Sequence, residues 1–259
     1  MRVAEEKLQK YIEQIHRAKL IVSDIDGVVV IDGHLSRGAE CFFNNRKFIF
    51  LSNNSRSKIE DVGSFFRGQG LNVTDEQIFL AGTQAVMHLC EKKDLKDHLA
   101  VSANSKIIQF AKQNGLNVLD RQDWSNAHSV LLCSDPELKF KEFEDLINLA
   151  ANGVPFICAN PDLTYPGENR LYAETGCVLT ALQKAVPEIR CEIVGKPQTL
   201  MLEKALGKFK VKPCDAVFIG DNLKTDGLCA KQAGVCFIHA GVGTEIHPER
   251  LFEHFATCC

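Results

Sequence analysis

The chain has no CxxC pair and no cysteine–histidine cluster at zinc-ligand spacing, although 11 of its 259 residues are cysteine. That argues against a structural zinc site and a thioredoxin-like redox pair. An odd number of cysteines cannot all pair within one chain. Cys133, Cys158 and Cys236 lie inside apolar runs, where cysteine acts as a small hydrophobe, and the expected setting is a reducing cytoplasm. The adjacent Cys258 and Cys259 read as oxidation-prone and suggest no function. No segment approaches the ~18 consecutive apolar residues of a membrane span, so no membrane partner is expected. There is no basic excess either: the net charge is −3, which speaks against a nucleic-acid binder. The first residues, MRVAEEKLQKYIEQIHRAKL, are broken by charges throughout and do not read as a signal peptide. Leu8, Ile12 and Ile15 recur there at helical spacing, predicting an amphipathic helix that packs on the protein's own core.

What is present is an ordinary globular composition, 45 % hydrophobic and 24 % charged, with room for a core domain and a smaller one. Short apolar runs alternate with helical patterns, predicting an α/β fold with a mostly parallel sheet. Strands are expected near 20–24, 47–52, 99–103, 129–133, 155–159, 216–220 and 235–239. Helices are expected near 56–69, 83–92, 104–114, 138–151, 175–186 and 198–207. Asp32-Gly33 between apolar flanks predicts a two-residue hairpin.

The stretch KLIVSDIDGVVVIDG, residues 19–33, sets Asp24 and Asp26 where a buried strand should end. Ionised carboxylates beside a core are unfavourable unless something compensates their charge. Two other strand candidates end in polar groups: FIFL runs into Ser52-Asn53-Asn54, and AVFIG into Asp221. In open parallel sheets ligands bind beyond the carboxyl ends of strands. Ser52 and Asn53 offer hydroxyl and backbone N–H donors suited to phosphate oxygens. Lys196, in VGKP, can neutralise an anion, with Pro197 opening the helix from 198. Asp24, Asp26 and Asp221 supply hard oxygen ligands, the preference of Mg²⁺, and Asp226 follows in GDNLKTD. A divalent ion would compensate the carboxylates and let a phosphate approach. Each element also has a bland reading: Ser52 as a helix cap, Lys196 as a solvated charge, Asp226 as a turn residue. The polar set sits at the two ends of the chain, so the middle reads as an insertion.

Together, DIDGV, LSNNS, VGKP and GDNLKTD resemble the four motifs of the haloacid dehalogenase superfamily of phosphatases. Their order and the large insert resemble its NagD-like, p-nitrophenyl phosphatase branch, which also carries an Asn-Pro-Asp matched by Asn160-Pro161-Asp162. The resemblance implies a Rossmann-like core with an inserted α/β cap: a core of 1–80 and 179–259 that includes the N-terminal helix, and a cap of 81–178. It implies Asp24 as nucleophile and Asp26 as general acid and base. Mg²⁺ would be held by Asp24, the backbone carbonyl of Asp26, and Asp221, with Asp226 in support. Ser52, Asn53 and Lys196 would bind the phosphoryl group, and Asn160 and Asp162 would face substrate from the cap. Val28 stands where many members have threonine, the segment before LSNNS is short, and the glycine-rich stretch usual after the cap is reduced to Gly176.

The function this implies is a Mg²⁺-dependent phosphatase of a small phosphomonoester, acting through an aspartyl-phosphate. Sugar phosphates, nucleoside monophosphates, pyridoxal phosphate and phosphoglycolate all fit the branch. Family members often form homodimers, although no interface is legible here. A phospho-acceptor signalling protein is the alternative from another class. Its phosphorylated aspartate would follow an acidic pair on an earlier strand, whereas Asp24 lies on the first. A catalytically silent binding protein on the same fold is the third reading, and phosphate release from p-nitrophenyl phosphate separates the enzyme from both.

Overall fold

In the computed structural model, which describes residues 2–166 and 170–256, the chain divides into two compact units. The first contains Met1–Ser52, Ile59–Phe79 and Lys196–Cys259, and the second contains Asn53–Lys58 and Leu80–Gly195.

The sheet of the first unit runs in the order Cys236–His239, Ala216–Gly220, Leu20–Ser23, Phe48–Ser52, Ile78–Leu80. Its central pairs are parallel, with Ile21 beside both Val217 and Phe48, and Ser23 beside both Ile219 and Phe50. Every residue of LIVS, FIFLS and AVFIG is buried. These strands therefore read as unbroken apolar runs rather than as alternation, as expected when both faces of a sheet are covered. From Leu20–Ser23 the chain builds outward on one side, and the later strands join on the other. This reversal opens a crevice at the carboxyl ends of Leu20–Ser23 and Ala216–Gly220, the place where Asp24 and Asp221 follow.

The N-terminal helix, Arg2–Arg17, buries Leu8, Tyr11, Ile12 and Ile15. It is fastened by the His239 N–H donating to the Tyr11 hydroxyl at 3.3 Å and by Lys7 pairing with Glu245 at 2.7 Å. Its apolar face is thus used within its own unit. The Asp32-Gly33 hairpin forms as expected: Ile31 lies opposite His34, and both turn residues have positive φ, 50° and 78°. That is the conformation a two-residue type I′ loop needs.

The second unit has its own four-stranded parallel sheet, ordered Cys191–Ile193, Phe156–Cys158, Ser129–Leu132, Leu99–Ser102. Trp124, Leu146, Phe156 and Leu182 are among the residues of its core. A hairpin of Thr164–Pro166 and Leu171–Ala173 stacks Tyr165 on Tyr172 at 5.2 Å.

The units divide at other residues than the expected 81–178 insert. The helix Thr175–Ala185 and the strand Cys191–Ile193 group with the second unit, because Leu179 and Leu182 enter its core and Cys191–Ile193 pairs with Phe156–Cys158. Residues 53–58 group there as well, so the helix expected from 56 starts at Ile59. The helix after Lys196 starts at Leu200 rather than 198, and Pro197 follows a cis peptide bond ahead of it. Cys133, Cys158 and Cys229 are buried free thiols. Among the described residues, no helix is long and apolar enough to cross a membrane.

Candidate active site

Asp24 continues the ladder one residue beyond its strand, its N–H donating to the Ile219 carbonyl at 2.9 Å. Among the described residues, two donors meet its carboxylate at the same oxygen. The Ile25 N–H and the Lys196 ammonium both donate to Oδ1, each at 2.8 Å, which leaves Oδ2 outside this set. The chain then turns sharply. The Val29 and Val30 N–H groups both donate to the Ile25 carbonyl, and Gly27 takes φ +77°. Asp26 lies exposed on this turn, and its charge acts on both Asp24 and Asp221.

Lys196 is 2 % exposed, which excludes the solvated-charge reading. Its ammonium donates to Asp24 Oδ1, to Asp226 Oδ1 at 2.7 Å and to the Leu51 carbonyl at 3.0 Å. Burial works against the charge, but Asp226 and Asp24 outweigh it and hold the ammonium protonated well above the usual lysine range. Through Leu51 the lysine is tied to the strand end where Ser52, 3 % exposed, follows. Ser52 lies in the first unit and Asn53 in the second.

Asp226 is fully buried within a π-helical turn, Leu223–Gly227, in which the Gly227 N–H donates to the Asn222 carbonyl five residues back. Such turns recur at functional sites because the extra residue re-aims a side chain. Here the turn directs Asp226 Oδ1 to Lys196 and brings Oδ2 within 3.1 Å of the Asn222 N–H. Asp226 is therefore not merely a turn residue.

Carboxylate oxygens of Asp24, Asp221 and Asp226 come within 4.8 Å of one another. Lys196 pairs with two of these three carboxylates, and burial together with the crowded negative charge raises the carboxyls of Asp24 and Asp221. Burial, reinforced by the charge of Asp226, pushes the Asp221 carboxyl up to about 6. Burial also pushes Asp24 well up, against the pull of Lys196. Hard oxygen donors gathered around uncompensated negative charge are the donor set a divalent cation fits.

The other predicted residues meet within the second unit. Asn53 Nδ2 donates to Asp162 Oδ2 at 2.9 Å, and Asn160 Nδ2 donates to the Asn53 carbonyl at 2.7 Å. Asn160 Oδ1 accepts from the Asp162 N–H at 3.0 Å, and Asn160 is fully buried. Both ends of the Asn160 side chain are thus engaged, Nδ2 on the Asn53 carbonyl and Oδ1 on the Asp162 N–H. Gly176 packs against this segment: its N–H donates to the Asp162 carbonyl at 2.8 Å, and a Cβ there would stand 2.1 Å from the Pro161 carbonyl oxygen.

Several supporting groups escaped the sequence reading. Glu174, 5 % exposed, accepts from Ser55 at 2.7 Å, from the Thr175 N–H at 2.9 Å, and from Arg56 at 2.9 Å. Arg56 in turn lies over the Tyr165 ring at 3.6 Å. His239 reaches the Asp221 carbonyl through Nε2 at 2.9 Å. Only the periodicity of neighbouring elements hinted at these residues, because their partners are distant in sequence.

A profile for haloacid dehalogenase-like hydrolases matches residues 21–117, and a second one for HAD-hydrolase-like proteins matches residues 193–255. A dihydroxyacetone phosphatase of Corynebacterium glutamicum is 28 % identical over 236 residues, which cover 88 % of this chain and 84 % of that protein. The ribonucleotide monophosphatase NagD of Escherichia coli K12 is 26 % identical over 222 residues, 84 % of this chain and 85 % of its own. The solved structure of a p-nitrophenyl phosphatase from Archaeoglobus fulgidus superposes with a TM-score of 0.80 at 22 % identity, covering 92 % of this chain and 93 % of that one. The fold is thus a Rossmann-like α/β core with an inserted α/β cap, and the chain belongs to the haloacid dehalogenase-like hydrolases, in their NagD-like branch.

Proposed function

We propose that this chain is a Mg²⁺-dependent phosphatase that hydrolyses a small phosphomonoester through an aspartyl-phosphate on Asp24. The broader activity, that of a phosphoric monoester hydrolase, follows from its family and its curated relatives. The observation that carries the finer reading is the one-sided grip on Asp24, with Oδ1 bound by Lys196 and the Ile25 N–H, and Oδ2 outside that set.

In this reading Asp24 Oδ2 attacks phosphorus, and the ester P–O bond breaks. The Asp26 carboxyl gives its proton to the leaving alkoxide. As a carboxylate, it then takes a proton from water, whose oxygen attacks phosphorus and breaks the bond to Asp24, releasing inorganic phosphate. Dividing the reaction into two displacements lowers each barrier. Asp24, the Asp26 backbone carbonyl and Asp221 would hold the metal, with Asp226 in support. When bound, the metal supplies the positive charge that lets an anionic phosphate approach clustered carboxylates. Lys196 contributes a fixed charge beside the nucleophile, pre-oriented by Asp226. The Ser52 hydroxyl and the Asn53 backbone N–H are the proposed phosphoryl donors. Asn160 and Asp162 act by holding Asn53 in place.

The second unit is read as the selector of the leaving group. The relatives' names cover a triose phosphate, ribonucleotides and p-nitrophenyl phosphate, so the substrate is sought among sugar phosphates, nucleoside monophosphates, pyridoxal phosphate and phosphoglycolate. The test is a panel of these esters with Mg²⁺, scored by kcat/KM. No phosphate release from any of them, p-nitrophenyl phosphate included, would defeat the proposal.

A further inference from the structure

We propose that the loop beginning at His239 is a positioning element of the metal site, with His239 and Gly241 fixing where Asp221 stands. The inference rests on the reading of Asp221 as a metal ligand.

The peptide joining Asp221 to Asn222 is pinned at both ends. Its carbonyl oxygen can only accept, so His239 Nε2, at 2.9 Å, carries the proton and donates. Its N–H donates to Asp226 Oδ2 at 3.1 Å. One hydrogen bond from His239 thus orients the peptide plane that relates Asp221 to Asp226.

The Asp221 side chain is confined as closely. A Cβ on Gly241 would stand 2.1 Å from Asp221 Cβ and 3.0 Å from its Cα, and a Cβ on Gly27 would stand 2.5 Å from Asp221 Oδ2. Asp221 is therefore gripped between the turn after Leu20–Ser23 and the loop after Cys236–His239. The two are tied by the Val242 N–H donating to the Gly27 carbonyl at 2.9 Å. The loop is itself braced, since the Gly241 N–H donates to the Ile246 carbonyl at 3.1 Å and the Thr244 hydroxyl to the same oxygen at 2.9 Å. His239 stacks on Phe237 at 6.0 Å, and its N–H is held by the Tyr11 hydroxyl. Groups that orient metal ligands in this way change metal affinity by about 10–100-fold when removed.

The test measures Mg²⁺ affinity calorimetrically without substrate, beside the thermal midpoint of the metal-free protein. Wild type is compared with His239→Leu, His239→Gln, Gly241→Ala, and Gly207→Ala, whose added methyl meets nothing within 4 Å. His239→Leu and Gly241→Ala should each weaken Mg²⁺ binding by about tenfold or more. His239→Gln, whose amide can still donate, should stay within about threefold of wild type, and Gly207→Ala should not differ from it. At saturating Mg²⁺ the substrate KM of the His239 variants should be unchanged. Affinity within twofold of wild type in both His239→Leu and Gly241→Ala overturns the positioning role. If one of these two does not fold, the other decides alone; if neither folds while His239→Gln binds Mg²⁺ as wild type does, the elements are structural and the proposal falls. A wild-type protein that binds no Mg²⁺ overturns the metal reading itself, which is a distinct result.

Discussion

The Lys196 ammonium lies 2.8 Å from Asp24 Oδ1 and 2.7 Å from Asp226 Oδ1, one buried cation between two carboxylates from opposite ends of the chain. Removing one partner of a buried ion pair leaves the others uncompensated, a loss of about 3–5 kcal/mol. Lys196→Met should therefore lower stability in urea denaturation by an amount of that order and abolish turnover. Wild-type stability in Lys196→Met would show that the lysine is not structurally required.

The two acids of the opening stretch should separate. Asp24→Asn should abolish turnover on every ester, because an amide offers no attacking carboxylate oxygen. Asp26→Asn removes proton transfer, typically ~10²–10⁴-fold. Since p-nitrophenolate leaves without a proton, rapid mixing of Asp26→Asn with p-nitrophenyl phosphate should give a burst close to the enzyme concentration, then slow turnover. Normal turnover of alkyl phosphates by Asp26→Asn would contradict the assignment.

Asp221 makes the metal-free protein sensitive to pH. Its carboxyl is raised from the ordinary 3.8 to about 6, so between these values the folded state binds more protons than the unfolded one. The group therefore lowers metal-free stability as pH rises through that window. Asp221→Asn should raise the thermal midpoint of the metal-free protein at pH 7.5, and the gain should shrink toward pH 4. Mg²⁺ must displace the same proton, so its apparent affinity should weaken as pH falls through about 6. A pH-independent difference between Asp221→Asn and wild type would argue against the raised carboxyl.

Asn160→Ala removes the 2.7 Å donor to the half-buried Asn53 carbonyl. Loss of one such hydrogen bond destabilises by about 0.5–1.5 kcal/mol. Because Asn160 acts on Asn53, kcat/KM should fall alike across a chemically varied panel. A change confined to some substrates would instead return Asn160 to the role of a substrate contact.

The chemistry was legible because it is written locally. An apolar strand run that breaks into Asp-x-Asp-Gly, another into Ser-Asn-Asn, and a third into Gly-Asp each marks its strand end without help from the rest of the chain, and the register of Ser23 with Ile219 and Phe50 keeps those ends on one edge. The Asp32-Gly33 hairpin was equally local. The strand Cys191–Ile193 was not, since three residues carry no periodicity and only pairing with Phe156–Cys158 defines it.

By itself, then, the sequence determined which groups stand at the strand ends and what reaction they suit, since side-chain type and strand termination are short-range properties. Tertiary structure alone decided that Lys196 is buried between Asp24 and Asp226, and that Asn160 donates to the Asn53 carbonyl. It alone decided that the second unit runs to Gly195, and that His239 and Gly241 grip Asp221. Each of these depends on burial and on hydrogen bonds between segments far apart in the chain, and a residue's own neighbours carry no record of a partner that only folding brings within 3 Å.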